Sequence, residues 1–175
     1  MAPSCRRRRP RLRRCSGLIL VTVGGQMPFP RLVDAVDQWS RKNPTIDVFG
    51  QINDQDPDPL TFETVPLMPP DELRHRIMSA DVVVAHAGMG TIISCLELGV
   101  PLILLPRHAD LRETRNDHQR ATADHFGDRP GIWAASATED VADLLDRHTE
   151  LRDEMPVATP PDPGLIRSLK AFIDG

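Results

Sequence analysis

A glycine-rich segment between two apolar runs holds the residues best suited to ligand chemistry. Residues 86–91 read His-Ala-Gly-Met-Gly-Thr, after the apolar run 82–85 and before the apolar run 92–96. This order predicts a short buried strand, a glycine turn and the start of a helix. A helix start offers unpaired backbone N–H groups and the positive end of the helix dipole, and both suit a phosphate. Glycine at the turn lets the backbone approach such a ligand closely.

Three further polar or glycine-rich segments follow predicted strands, as His86 does. Gly24, Gly25 and Gln26 follow the first predicted strand, residues 66–69 follow the third, and residues 107–119 follow the fifth. The carboxyl ends of parallel strands meet at one edge of a sheet, where open α/β folds bind ligands. We therefore expect all four segments to converge on one site.

Residues 107–119 are dense in side chains that form hydrogen bonds. They include Arg107, His108, Asp110, Arg112, Glu113, Asn116, Asp117, His118 and Gln119. Such a loop suits a charged, polyhydroxylated ligand, because carboxylate and amide groups accept from and donate to vicinal hydroxyls. Asp117 and Gln119 can bind a sugar in this way. Arg107 can serve a diphosphate or pair with an acidic surface residue.

Each of these features also has a purely structural explanation. Gly88 and Gly90 can serve only to make a tight strand-to-helix turn, and a single histidine such as His86 is often a hydrogen-bonded turn residue. Asn116 and Asp117 can cap the helix that follows, a role compatible with ligand binding. The remaining histidines, at positions 75, 108, 125 and 148, have no supporting pattern and are interpreted as solvated.

Strands and helices alternate along the chain from residue 17 onward. The pattern predicts strands over 18–23, 46–51, 61–65, 82–85, 102–106 and 132–134, and helices over 29–43, 70–79, 91–98, 116–126, from 138 onward, and over 165–173. This alternation predicts an α/β, Rossmann-like domain with a mostly parallel sheet and helices on both faces. Neither GxGxxG after the first strand nor GxxxxGK[ST] is present, so dinucleotide-binding and P-loop functions are weakly supported.

The composition indicates an acidic domain. The chain has 175 residues, enough for one well-packed core, and a net charge of -4. Seven arginines lie within residues 6–14, and the rest of the chain carries 14 basic and 25 acidic side chains. An acidic body argues against a nucleic-acid partner, which requires a basic face. No apolar run is long enough to predict a membrane-spanning helix.

We expect residues 1–16 to form a basic disordered arm and residues 17–175 to form the single globular domain. The arm lacks the apolar core of a secretory signal. It is either a passive tail or a segment that attaches to anionic lipid, to which each basic residue contributes about 1 kcal/mol. Cys5, Cys15 and Cys95 show neither a disulfide framework nor metal-ligand spacing, which fits a reducing cytosol. Cys95, in an apolar helical run, is expected to be buried.

Three motifs of the chain occur together in a known enzyme family. His-Ala-Gly-Met-Gly-Thr at 86–91, Glu-Leu-Gly-Val-Pro-Leu-Ile-Leu-Leu-Pro at 97–106 and Asn-Asp-His-Gln at 116–119 resemble the C-terminal donor-binding domain of GT-B glycosyltransferases of family 28. The opening Val-Thr-Val-Gly-Gly-Gln-Met-Pro-Phe at 21–29 also resembles that group. The likeness covers residues 18 to about 150. Within that family the chain resembles the stand-alone catalytic-half proteins, namely the PssE type and the catalytic subunit of the dolichol-linked GlcNAc transferase.

The resemblance implies a UDP-sugar site in residues 17–175 and no cofactor or metal. Gly88, Met89, Gly90 and Thr91 would hold the diphosphate, with His86 beside them and Gly24 and Gly25 closing from the first loop. Pro66 and Leu67 would cup the uracil, and Asn116, Asp117 and Gln119 would contact the sugar hydroxyls. Many family members grip the ribose with an acidic residue at the position that Ser94 occupies here, and Glu97 lies one helical turn later.

The resemblance also implies half of an enzyme, because a full GT-B transferase has a second domain that binds the acceptor. The expected function is the donor-binding, catalytic subunit of a two-component inverting hexosyltransferase that acts on a lipid-linked saccharide in surface polysaccharide biosynthesis. A membrane-anchored partner subunit would supply the acceptor domain. The catalytic base is unassigned, with His86 as the one candidate. The expected location is the cytoplasm, peripherally at the inner face of the plasma membrane. Two alternatives are a non-catalytic nucleotide-sugar sensor or scaffold and a UDP-sugar epimerase.

Overall fold

The computed structural model describes residues 17–55 and 57–155. The predicted arm 1–16 and the predicted helix 165–173 lie outside the described residues. The strands are β1 Leu18–Thr22, β2 Asp47–Gln51, β3 Glu63–Val65, β4 Val82–His86, β5 Leu102–Leu105 and β6 Ile132–Ala134. The helices are α1 Pro30–Lys42, α2 Pro70–Ser79, α3 Met89–Leu98, α4 His118–Phe126, α5 Thr138–Asp146 and α6 His148–Glu154.

The strands form one six-stranded sheet in the order β3-β2-β1-β4-β5-β6. All five strand pairs are parallel. The order reverses between β1 and β4, which is the switch point where Rossmann-like sheets open a crevice at their carboxyl edge. The prediction of a Rossmann-like, parallel α/β domain is confirmed.

The two faces of the sheet bury separate apolar clusters, so helices cover both faces as predicted. On one face, Val21 packs with Val36 of α1, Leu145 of α5 and Leu151 of α6. On the other face, the helix residues Ile77, Ile92 and Phe126 belong to one cluster with the central strand residues Leu20 and Val83. Residues from alternate positions of β1 point to opposite faces, as the strand period of two requires. None of the helices within the described ranges is long and apolar enough to cross a bilayer.

Two predicted helix starts were wrong by two residues. Helix α3 begins at Met89 instead of residue 91, because Gly88 is extended and its carbonyl already accepts from the Ile92 N–H at 3.2 Å. Gly90 therefore belongs to the first helical turn and not to the turn before it. Helix α4 begins at His118 instead of residue 116, and Asp117 occupies the position before it.

One helix was not predicted. Helix α6 has seven residues and a single buried one, Leu151, so it lacks the repeated apolar spacing that reveals a helix in sequence. The interpretation of His148 as solvated is also wrong. Its Nδ1 lies 2.8 Å from the Leu145 carbonyl oxygen, and its ring meets Trp39 edge to face.

Candidate functional site

The loop after β1 turns sharply at Gly24, which has a φ of +77°. That left-handed conformation suits glycine and strains residues with a Cβ. The Gly24 N–H lies 3.4 Å from the Thr22 hydroxyl, and the loop then runs through the exposed Gly25 to the buried Phe29. The turn at Gly24 thereby directs the chain across the carboxyl end of the sheet toward β4.

His86 ends β4 with its imidazole between two glycines. A Cβ on Gly24 would lie 2.6 Å from the His86 Cε1, and a Cβ on Gly88 would lie 2.2 Å from the His86 Nε2. Neither position tolerates a side chain while the ring stays in place. The ring therefore packs against the backbone of the first loop and the backbone of the turn before α3.

Burial lowers the pKa of His86 to about 4, and the positive charge of Arg107 acts in the same direction. The backbone of Thr22 acts weakly in the opposite direction. The His86 Nδ1 is buried and has no hydrogen-bond partner within residues 17–55 and 57–155. His86 is thus a neutral imidazole at physiological pH, and its low pKa makes it a weak general base there.

The start of α3 leaves backbone donors without helical acceptors. Gly88 occupies the cap position without a side-chain hydrogen bond, so the N–H groups of Met89, Gly90 and Thr91 have no acceptor within the helix. Gly90 is exposed, and a Cβ built on it would meet no atom within 4 Å. Unpaired donors, the dipole end and this free space together form a cradle for an anion.

The loop after β3 adjoins the loop after β1. The Pro66 carbonyl accepts from the Asn53 N–H at 2.9 Å, which fixes the start of this loop to the end of β2. Leu67 is 54% exposed, and a Cβ on Gly25 would lie 3.7 Å from its Cδ2. An apolar side chain therefore borders the glycine turn. A flat heterocyclic ring bound beside a phosphate could pack against such a side chain.

Arg107 does not form the pair with an acidic surface residue that its sequence allowed. It is 4% exposed, and within the described residues its guanidinium donates to backbone carbonyls and pairs with no acidic side chain. Nη1 donates to the carbonyls of Pro28 at 2.7 Å and Glu113 at 3.1 Å. Nη2 donates to those of Val23 at 2.9 Å and Met27 at 2.6 Å. The guanidinium thus fastens the loop after β1 to the loop after β5.

A second layer of contacts supports that guanidinium. Phe29 lies beneath Arg107, with 4.6 Å between the guanidinium carbon and the ring centroid. Arg31 holds the Glu113 carboxylate in two hydrogen bonds of 2.7 and 2.8 Å, and the His108 N–H donates to it at 2.9 Å. Burial opposes the charged carboxylate, but these donors outweigh it and lower the pKa of Glu113.

The Asn-Asp-His-Gln motif lies on the same edge, at the start of α4. The Asp117 Oδ1 accepts from the Ala109 N–H at 3.2 Å, and the Gln119 Oε1 accepts from the Arg107 N–H at 3.2 Å. Asp117 occupies the cap position of α4 but makes no capping hydrogen bond, so the purely capping alternative is wrong for it. Asn116 is exposed, with its Oδ1 3.4 Å from the His118 N–H.

The helix α3 residues considered for ribose binding have other partners. The Ser94 hydroxyl donates to the Gly90 carbonyl at 2.9 Å, one turn earlier in the same helix. Glu97 forms an exposed salt bridge of 3.2 Å with Arg74 of α2. Neither observation assigns a ribose contact.

The structure therefore brings the four predicted segments to one edge of the sheet. Contacts join the first loop to each of the others, through His86, Leu67 and Arg107. Sequence reasoning missed Gln51, which ends β2, is 4% exposed and reaches toward the Gly24 carbonyl at 3.5 Å. Its buried Oε1 has no partner among the described residues. The sequence signal that could have revealed Gln51 is a single glutamine at the end of an apolar strand.

The sequence has identifiable relatives. Residues 18–154 match the model of the glycosyltransferase family 28 C-terminal domain. Over 84 residues the chain is 32% identical to the UDP-N-acetylglucosamine transferase subunit ALG13 of Saccharomyces cerevisiae, an alignment that covers 47% of this chain and 40% of that relative. The matched part thus spans less than half the length of the curated relative.

Solved structures with the same fold include glycosyltransferases. The solution structure of ALG13 has a TM-score of 0.59 at 20% identity and covers 91% of this chain and 98% of that one. MurG from Acinetobacter baumannii has a TM-score of 0.65 at 19% identity and covers 95% of this chain and 55% of that one. At these identities the likeness shows the fold, which is that of the C-terminal half of a GT-B enzyme.

Proposed function

This chain belongs to the glycosyltransferase family 28 C-terminal domain family, and on that premise we propose that it is the donor-binding subunit of a UDP-sugar-dependent glycosyltransferase. The single observation that carries the proposal is the start of α3. Three backbone N–H groups there lack helical acceptors, next to the exposed Gly90, at the edge where four loops meet. A diphosphate has the charge and the acceptor atoms that such a position favours.

The remaining parts of a nucleotide-sugar fit the neighbouring loops. Uracil would lie against Leu67 and the backbone at Pro66, beside Gly25. The sugar hydroxyls would meet the motif at the start of α4. There the Gln119 Oε1 is already occupied by the Arg107 N–H, so its Nε2 is the group left to donate to a hydroxyl. The free carboxylate oxygen of Asp117 would accept from another.

The reaction proposed is an inverting displacement. The acceptor hydroxyl oxygen attacks the anomeric carbon as the bond to the UDP oxygen breaks, and a base removes the hydroxyl proton. Within the described residues His86 is the only base that the sequence suggested, and its pKa of about 4 and buried Nδ1 make it unsuited to that step. We therefore assign His86 to the packing of the two glycine turns and place the base on a partner subunit.

Exposed apolar side chains on three of the loops support the proposal that a partner protein covers the carboxyl edge of the sheet. Met27, Leu67 and Leu111 are 40%, 54% and 54% exposed, and they lie in the loops after β1, β3 and β5. The proposed cover is a membrane-anchored partner that binds a lipid-linked acceptor for surface polysaccharide synthesis. This arrangement would hold the chain in the cytoplasm, peripherally at the inner face of the plasma membrane.

Donor binding is the first test. Full-length chain would be titrated with UDP, UDP-GlcNAc, UDP-glucose and UDP-glucuronate while its thermal unfolding is followed. A ligand at 100 times its Kd stabilises the native state by about 2.7 kcal/mol. We expect UDP to stabilise the chain and one UDP-sugar to stabilise it further, whereas no response to any of the four would refute the donor site.

Transfer is the second test. Purified chain alone should bind the UDP-sugar and release no UDP. UDP release should appear when membranes that contain the partner and the lipid-linked acceptor are added. Transfer by the isolated chain would contradict the two-component proposal, and binding without transfer under every condition would favour a nucleotide-sugar sensor.

Membrane attachment needs its own test, on vesicles of phosphatidylcholine with and without phosphatidylglycerol. We expect the chain to sediment with the anionic vesicles at low salt and to dissociate at 0.15 M salt, where the Debye length is about 8 Å. A variant without residues 1–16 should lose this binding and keep its UDP affinity. Equal sedimentation of both forms would remove the arm from the proposal.

A further inference from the structure

We infer that Arg107 is a positioning residue that couples the diphosphate half of the donor site to the sugar half. The inference rests on the proposed function and adds to it a residue that touches neither part of the ligand. Its basis is the unusual position of Arg107, which forms hydrogen bonds to both halves of the site from one buried location.

The Arg107 side chain determines the shape of the diphosphate half. Three of its four backbone acceptors, the carbonyls of Val23, Met27 and Pro28, belong to the loop that carries Gly24 and Gly25. That loop forms no described helix or strand of its own, so these hydrogen bonds fix its path. The same loop packs through Gly24 against His86, one residue before the turn into α3.

The Arg107 backbone determines the geometry of the sugar half. Its N–H donates to the Gln119 Oε1 at 3.2 Å and thereby sets the direction of the Nε2 group. Its Nη1 also donates to the Glu113 carbonyl, within the loop that leads to Asp117. A displacement of Arg107 would therefore shift the first loop and the Gln119 amide together.

The chemistry of this position requires arginine. A planar guanidinium offers several donors in fixed directions, and here four carbonyls use them while an aromatic ring packs below. Lysine keeps the charge but offers a single ammonium group, which cannot reach four acceptors held in this arrangement. Arg31, and not Arg107, forms the direct ion pair with Glu113, so the hydrogen bonds of the Arg107 guanidinium go to backbone carbonyls.

Coupling of this kind has a measurable consequence. If the diphosphate fixes the first loop, that loop also fixes Arg107, and Arg107 holds the Gln119 amide in one orientation. The sugar then binds to an amide that is already oriented. By linkage the sugar must order the first loop to the same extent. The added affinity of a UDP-sugar over UDP therefore depends on Arg107.

The experiment compares Arg107→Lys with the matched control Arg115→Lys, since Arg115 is an exposed arginine of the same loop. Calorimetry gives the Kd of UDP and of the UDP-sugar that stabilises the wild-type chain most. We expect Arg107→Lys to reduce the ratio of the two affinities about tenfold, within the usual range of coupling. A general loss of structure would weaken the binding of both ligands and leave the ratio of their affinities unchanged, and that result would overturn the inference. Arg115→Lys should have the same two affinities as the wild type.

A second measurement uses the unmodified chain and does not depend on whether the variant folds. Amide hydrogen exchange would be followed with and without UDP, which has no sugar. We expect UDP to protect residues 23–28 and also residues 107–119. Protection of 23–28 without any change in 107–119 would overturn the coupling. Absence of UDP binding to the wild-type chain would instead refute the proposed function, so the two failures are distinguishable.

Discussion

The imidazole of His86 occupies the space that a side chain at Gly24 would need, with 2.6 Å from its Cε1 to the Cβ position of that glycine. Because the Cβ position of Gly88 lies closer still to the ring, one side chain separates the turn after β1 from the turn after β4. Histidine here acts as a spacer between two backbones. Its aromatic edge sets how far apart the two glycine turns can lie.

This relationship predicts that Gly24→Ala destabilises the fold and that Gly25→Ala does not. At Gly24 alanine would combine a strained φ of +77° with a clash against the ring, whereas a Cβ at Gly25 would make an ordinary contact of 3.7 Å. We expect Gly24→Ala to lower the free energy of unfolding by about 1 to 3 kcal/mol and to weaken UDP binding. Chemical denaturation and calorimetry measure both effects. Equal stability of the two variants would contradict the spacer role.

Gly90 offers a test that separates binding from folding. Nothing lies within 4 Å of its Cβ position, so Gly90→Ala should fold and gain about 0.5–1 kcal/mol of helix stability. Gly90→Asp should also fold but should abolish UDP binding, because a carboxylate would face the diphosphate. UDP titrations of both variants provide the measurement. Unchanged UDP affinity in a folded Gly90→Asp chain would refute the placement of the diphosphate.

The lowered pKa of His86 predicts an acid-sensitive fold. Above pH 6.5 the imidazole is neutral in both folded and unfolded chains and adds no pH dependence. Between pH 6.5 and about 4 the unfolded chain binds a proton that the folded chain does not, so the free energy of unfolding falls with pH. The full loss is about 3 kcal/mol, reached near pH 4.

Urea denaturation at pH 7 and pH 5 checks this effect in the wild type, His86→Gln and the control His75→Gln. We expect the wild type and the control, which alters an exposed histidine, to lose more stability than His86→Gln between the two pH values. The expected difference is about 2 kcal/mol. Parallel losses in all three chains would show that His86 titrates normally.

The role of the Gln119 amide can be tested by an isosteric change. Gln119→Glu keeps the oxygen that accepts from the Arg107 N–H and removes the Nε2 donors. We expect UDP affinity to remain within about twofold, whereas UDP-sugar affinity should fall by about 0.5–1.5 kcal/mol or more from the lost hydrogen bond. Calorimetric titration with both ligands measures the difference. A loss that is the same for UDP and UDP-sugar would show that the added negative charge acts on the diphosphate, and would contradict a lost sugar contact.

The sequence was sufficient to predict the architecture. Apolar runs alternating with helical spacings predicted every strand and five of the six described helices, because burial on both sheet faces imposes those patterns on the residues themselves. The convergence of four segments on one edge followed from the parallel arrangement. Helix starts were less predictable, because a glycine can belong to a turn or to the first turn of a helix. At α3 the extended backbone of Gly88 places Gly90 in the helix.

The tertiary structure alone decided what the polar residues of the edge do. In the sequence Arg107, Glu113 and Gln119 were similar members of one polar loop, and each could have faced a ligand. Their roles depend on the carbonyls, N–H groups and rings that the fold places around them, most of which come from a segment about 80 residues earlier in the chain. Composition and spacing therefore determined where the site lies. The partners of each polar atom, which separate a ligand contact from a structural one, exist only once the first and fifth loops meet.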